Sequence, residues 1–165
     1  MDISSASGFI IRESPFIKEK KDYKHAMKAS LQDRSLYFKG LLILIRQDRA
    51  IREPEKKLLL RIGATMGFEK KFCRDTINEI INNKNIDDAP PLFSRPEIAR
   101  FFIHDGLILS ASDKEIQEAE LAWLQKVAAT NKVEQSFLNE SLKKCAAQTA
   151  DNPETNLVVK EIAWA

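Results

Sequence analysis

The chain is poor in the residues that make turns, redox centres and metal cages. Of 165 residues only 5 are glycine and 6 are proline. That leaves little room for the turn-dense chemistry of a β-sandwich or barrel and none for a glycine-rich phosphate loop. The two cysteines, Cys73 and Cys145, are far apart and show neither C-x-x-C nor zinc-ligand spacing, which fits a reducing, cytoplasmic setting. The two histidines, His25 and His104, have no cysteine or serine at a spacing that would make a nucleophilic set. Long apolar runs are also missing. The longest, Leu41-Leu42-Ile43-Leu44-Ile45, is far too short to span a bilayer, and the first thirty residues lack the apolar core and cleavage site of a secretory leader. Charge of one sign is lacking as well: 26 basic and 24 acidic residues give a net +2. So small a whole-molecule field points to neither nucleic acid nor anionic membrane.

What is present is apolar content of 44%, enough for one domain with a real core, and an internal repeat. Sliding the sequence by 65 residues aligns 36–80 with 101–145 without a gap. Leu42/Leu107, Ile43/Ile108, Leu44/Leu109, Asp48/Asp113, Ile51/Ile116, Glu55/Glu120, Leu59/Leu124 and Phe72/Phe137 are among the identical pairs. Apolar positions recur at helical spacing, so each copy reads as three helices. The expected spans are 35–47, 53–66 and 69–82, then 95–110, 117–130 and 134–147. Pro54 suits a first helical turn, Gly67 a helix stop, and Asn131-Lys132 stands at the matching place. Between the copies, Asp87-Asp88-Ala89-Pro90-Pro91 cannot continue a helix, and Ser94 before Pro96 and Glu97 reads as a capping start.

Three segments follow. Residues 1–34 are an N-terminal arm and helix packed on the domain, with Tyr23, Ala26, Met27 and Leu31 turned inward over 22–33. Residues 35–147 are the duplicated domain, and 148–165 a tail with a short helix. The expected fold class is all-α, a bundle of seven to eight helices built from two pseudo-symmetric three-helix repeats.

The stretch Leu42–Gly67 has an apolar helix, an Asp-x-x-Ile turn, a Glu four residues later and an aliphatic second helix, and copy two has the same order. In this it resembles the tellurite-resistance TerB-like domains over roughly 35–147. The resemblance implies an all-helical domain with two pseudo-symmetric halves, belonging to a bacterial stress-response or membrane-associated signalling system. It also implies divalent-metal binding by acidic surface residues. The sequence departs from the family where the glycine after the turn aspartate is Arg49 and Lys114, so two cations adjoin the would-be ligands.

Asp48, Glu55, Asp113 and Glu120 are the candidate metal residues, since hard cations need several converging carboxylate oxygens. The capping reading is favoured: Glu55 and Glu120 fall at third helical positions, where a carboxylate reaches back to orphan amides, and Asp48 and Asp113 order the turns. Cys73 and Cys145 align with Leu138 and Ile80 and read as small hydrophobes, while His104 aligns with Lys39 and reads as solvated. In the tail Leu157, Val158, Ile162 and Trp164 form an apolar strip suited to a protein partner or to the chain's own bundle. The basic segment 12–28, with Phe16 and Tyr23 interleaved, could touch a phosphate backbone or an anionic lipid surface.

The reading that follows is non-enzymatic: a cytoplasmic interaction module that needs no cofactor, with weak divalent-ion binding allowed and a homodimer compatible with it. Two alternatives stand beside it. One is a metal-dependent enzyme using the acidic quartet at the repeat interface, and the other is surface binding through 12–28.

Overall fold

A computed structural model describes residues 27–48, 50–113, 115–147 and 153–165. Most of the basic segment, together with His25, Arg49 and Lys114, lies outside the described residues. The described residues form six α-helices: α1 (Leu31–Arg46), α2 (Glu53–Thr65), α3 (Lys70–Asn82), α4 (Pro96–Ser110), α5 (Glu118–Thr130) and α6 (Gln135–Ala147). The helices α2 and α5, like α3 and α6, begin and end 65 residues apart. Two-residue strands β1 (Lys28–Ala29) and β2 (Ala163–Trp164) pair in parallel. The described residues are thus mostly helical, with little sheet.

The helix ends follow local chemistry. Ser30 caps α1, its hydroxyl accepting from the amide of Asp33 at 3.0 Å, and Pro54 occupies the first turn of α2. After α2 the chain turns at Gly67, φ 87°. The amide of Phe68 then donates to the Gly63 carbonyl at 2.9 Å, closing the helix end with a left-handed residue. After α5 the same turn is made by Lys132, φ 57°, with Val133 donating to the Ala128 carbonyl at 2.8 Å. A lysine there carries a Cβ that the conformation disfavours.

The helix α4 is the centre. Phe101, Phe102, Ile103, Leu107 and Leu109 are buried on several sides of it, which is the pattern of a helix surrounded by protein. It packs on α1, α2, α5 and α6. The approach to α1 is close because each helix offers a glycine. Gly40 lies under the Phe102 ring, and Gly106 lies under Leu44, which a Cβ would meet at 2.9 Å.

Two sequence expectations change. Residues 27–30 are extended rather than helical, and Leu31 is 65% exposed, because Ser30 caps the helix at this point. Ser94 does not cap α4. Its hydroxyl and amide are taken by the buried Asp33 carboxylate, at 2.6 and 2.9 Å, so the cap position falls to Arg95. The short helix expected in the tail takes the form of two 3-10 turns, followed by β2. Separately, none of the described helices is long and apolar enough to cross a membrane.

Candidate functional site

The four acids of the two turns come together. Asp48 follows α1, and its carboxylate accepts from the Ala50 amide at 3.0 Å, ordering the turn. Glu55, at the third position of α2, accepts from the Arg52 amide at 2.9 Å. In the second turn Glu120 accepts from the Gln117 amide at 3.0 Å, while Asp113 is only 3.4 Å from the Glu115 amide. Arg52 joins the two turns. Its guanidinium pairs with Asp48 at 2.8 Å and with Asp113 at 3.0 Å, with the two aspartate side chains about one-tenth exposed.

Beneath this clasp the glutamates are shut away from water: Glu55 is 0% and Glu120 1% exposed. Each uses one oxygen on its helix cap, and the other, Oε2, is buried without a hydrogen-bond partner. Burial therefore pushes both pKa values up, aided by the neighbouring negative charges. Glu55 rises to about 7, with Asp113 and Asp48 adding to the effect. Glu120 rises to about 8, with Asp48, Glu55 and Asp113 adding. Both carboxyls therefore titrate near neutral pH and above the usual carboxylate range.

Do these residues fit the metal that the family resemblance implies? The two orphaned oxygens are the kind of donor a hard cation takes. Against this, the guanidinium of Arg52 already stands between the aspartates, and one oxygen of each glutamate caps a helix. Among the described residues no group of three or more His, Cys, Asp or Glu side chains could hold a metal ion. As arranged, then, the quartet fits an internal cation better than an external one. Beside it lies a cleft of about 650 Å³ lined by Arg46, Gln47, Ile51, Ile81, Lys84, Ile86 and Asp88, none of them from the quartet.

A second buried polar centre had no signal in the repeat. Asp105, fully buried, accepts from the Tyr37 hydroxyl at 2.6 Å and from the Val158 amide at 2.8 Å. Burial raises its pKa to about 7 despite those bonds, a further amide bond from Val159 and the charge of Lys160. Tyr37 is pushed well above its ordinary value by burial and by Asp105. In the repeat Asp105 pairs with Gly40, so nothing in copy one foretells it; a lone acid inside an apolar helix was the available hint.

The tail explains the rest. Leu157, Val158 and Ile162 are 4–5% exposed, packed in the chain's own core. Trp164 stands edge-on to Tyr37 with ring centroids 5.0 Å apart, its indole N–H donating to the Val159 carbonyl at 3.1 Å. The four candidate partner residues are therefore spent within the fold. His104 is not on a solvated face as its alignment with the exposed Lys39 suggested, because the tail lies over it. Its Nε2 bonds the Asn156 carbonyl at 2.9 Å. Burial, with Lys144 adding, lowers the ring's pKa to about 4, so the neutral ring donates there.

Both thiols lie in apolar surroundings, Cys73 buried and Cys145 half-buried, and burial raises their pKa values, away from nucleophilic reactivity. Compared with protein-family models, curated proteins and solved structures, the chain matches none.

Proposed function

We propose that this chain is a TerB-like helical module of a bacterial stress-response or signalling system that acts in the cytoplasm by protein–protein contact rather than by catalysis. On this reading its two three-helix repeats are pseudo-symmetric halves. The observation that carries it is the junction itself. Equivalent turns of the two repeats meet at Arg52, and their acids serve caps and ion pairs, with the spare oxygen of each glutamate buried. An active site needs reactive groups open to a substrate; here the glutamates are covered, and the neighbouring cleft has a wall of mixed charge and isoleucine.

Weak divalent-ion binding belongs to the same reading. An ion would have to displace the Arg52 guanidinium and take up the orphaned oxygens, a rearrangement that costs affinity. Photo-crosslinking residues placed at the exposed Phe72, Ile81 and Leu92 in the native host are expected to give discrete adducts with another protein. Absence of adducts at all three, with turnover of a small-molecule substrate abolished by Glu55→Gln, would instead establish the enzyme reading. For the ion, calorimetry of metal-free protein with calcium, magnesium, manganese and zinc is expected to give weak heats that strengthen in Arg52→Gln and vanish in Asp48→Asn/Asp113→Asn. No heat in any of these proteins would remove the ion from the proposal.

A further inference from the structure

We propose that the groove beneath residues 153–165 is a recognition site for an apolar protein segment, held in cis by the chain's own residues 153–165 until a partner's segment of like chemistry displaces it. This rests on the contact-module reading and names its surface. The groove has a built polar floor: Asp105 and Tyr37, hydrogen-bonded to each other and fully buried. Such a carboxylate is tolerated in an apolar setting only while something supplies it with donors, and two of its donors are main-chain amides of the tail, Val158 and Val159.

Two further polar contacts also address the tail's backbone. His104 bonds the carbonyl of Asn156, and the carbonyl of Met27 accepts from the amide of Ala163 at 2.9 Å within the parallel pairing of β1 and β2. Main-chain bonds of this kind set no side-chain requirement, so specificity is left to the apolar pockets that the segment's side chains fill. Those pockets are occupied here by Leu157, Val158, Val159 and Ile162, with Trp164 set against Tyr37. The occupant that fits is therefore a strip of aliphatic residues followed by an aromatic one.

The tail is attached differently from the helices it covers. It consists of 3-10 turns of four and three residues and a two-residue strand, and its outward ion pair, Glu154 to Arg61 at 3.8 Å, is exposed. In cis it competes at the high effective concentration of a tethered ligand, so a partner's segment displaces it only by binding more tightly than the tail's own sequence does.

Two measurements on the full-length protein test this. In native-state hydrogen exchange, the amides of Val158, Val159 and Ala163 are expected to exchange at least ten-fold faster than the central amides of α1 and α4, through local opening of the tail alone. Exchange of all of them at one common slow rate would overturn the proposal, since the tail would then open only with the whole fold. In the second, fluorescein-labelled peptide 153–165 is titrated into wild type and into Val158→Pro, which removes the amide that Asp105 holds. The variant is expected to bind the peptide at least ten-fold more tightly than wild type, and adding Asp105→Asn is expected to weaken that binding. No binding by a Val158→Pro protein that keeps its helical circular dichroism would overturn the proposal. If that variant fails to fold, the exchange rates of the wild type decide between the two outcomes on their own. Uniformly slow exchange together with crosslinked adducts elsewhere on the surface would sink the groove while leaving the contact-module reading standing.

Discussion

Asp105 and the pair Glu55/Glu120 are equally hidden from water, yet the fold treats them differently. Asp105 collects a phenol and two main-chain amides. Each glutamate collects one cap amide and leaves its second oxygen bare. Burial raises the pKa of all three, to about 7 or 8. What the number of donors changes is the structural use. With three donors Asp105 binds two segments together and is a fastener. With one, each glutamate caps only its own helix.

The largest expected effect follows from removing the fastener. Asp105→Ala leaves the Tyr37 hydroxyl and two amides unsatisfied in an apolar site, a loss of roughly 3–5 kcal/mol in denaturant unfolding, with Tyr37→Phe costing about 1–2 kcal/mol. A loss under about 1 kcal/mol for Asp105→Ala would mean that water replaces it and that the contrast with the glutamates is empty.

Next comes pH. Between their ordinary values, 4.5 for Glu and 3.8 for Asp, and their raised values of about 7 to 8, the folded chain holds protons the unfolded chain has released. Their contribution is fully present below the ordinary values and is lost as pH rises through about 7 to 8. His104 acts on the other side. Its folded pKa of about 4 lies below the ordinary 6.5, so stability is lost as pH falls between those values. Three raised carboxyls outweigh one lowered imidazole between pH ~4.5 and ~6.5, so the melting temperature is expected to peak near pH ~4 and to fall toward pH ~8. Glu55→Gln/Glu120→Gln is expected to flatten most of the alkaline limb, leaving the part due to Asp105. An unchanged limb in that double variant would show that the glutamates do not hold their protons.

A smaller effect tests the clasp. Arg52 draws the pKa of Glu55 down, so Arg52→Gln is expected to shift the Glu55 carboxyl titration, followed by NMR, to higher pH. A downward shift would contradict the geometry. The smallest lies at the helix ends, where Gly67 and Lys132 make the same left-handed turn. Lys132→Gly is expected to stabilise by up to about 1 kcal/mol, and Gly67→Ala to destabilise by a similar amount, both read from denaturant unfolding.

Much of the helical layout was legible in the sequence. Helical spacing with Pro54, Gly67 and the Asp-Asp-Ala-Pro-Pro break placed helices within a few residues of where they lie, because such signals act over one or two turns. Residues 27–30 differ from the expected helix for the opposite reason. Met27 and Ala29 are buried beside β2, a partner from the far end of the chain, and the periodicity of a short apolar stretch does not distinguish the two causes. Ser94 likewise has a capping pattern, and only the nearness of Asp33 redirects it.

For the candidate site the division is sharper. Composition and spacing by themselves determined that Asp48, Glu55, Asp113 and Glu120 are equivalent in pairs and that both thiols face apolar surroundings, since each is a matter of helical position. The tertiary structure alone decided that the four acids meet, that Arg52 stands among them, and that the tail closes over Asp105, Tyr37 and His104. Those outcomes depend on how desolvation and ion pairing trade off between segments far apart in the chain, and no local pattern of residues encodes that balance.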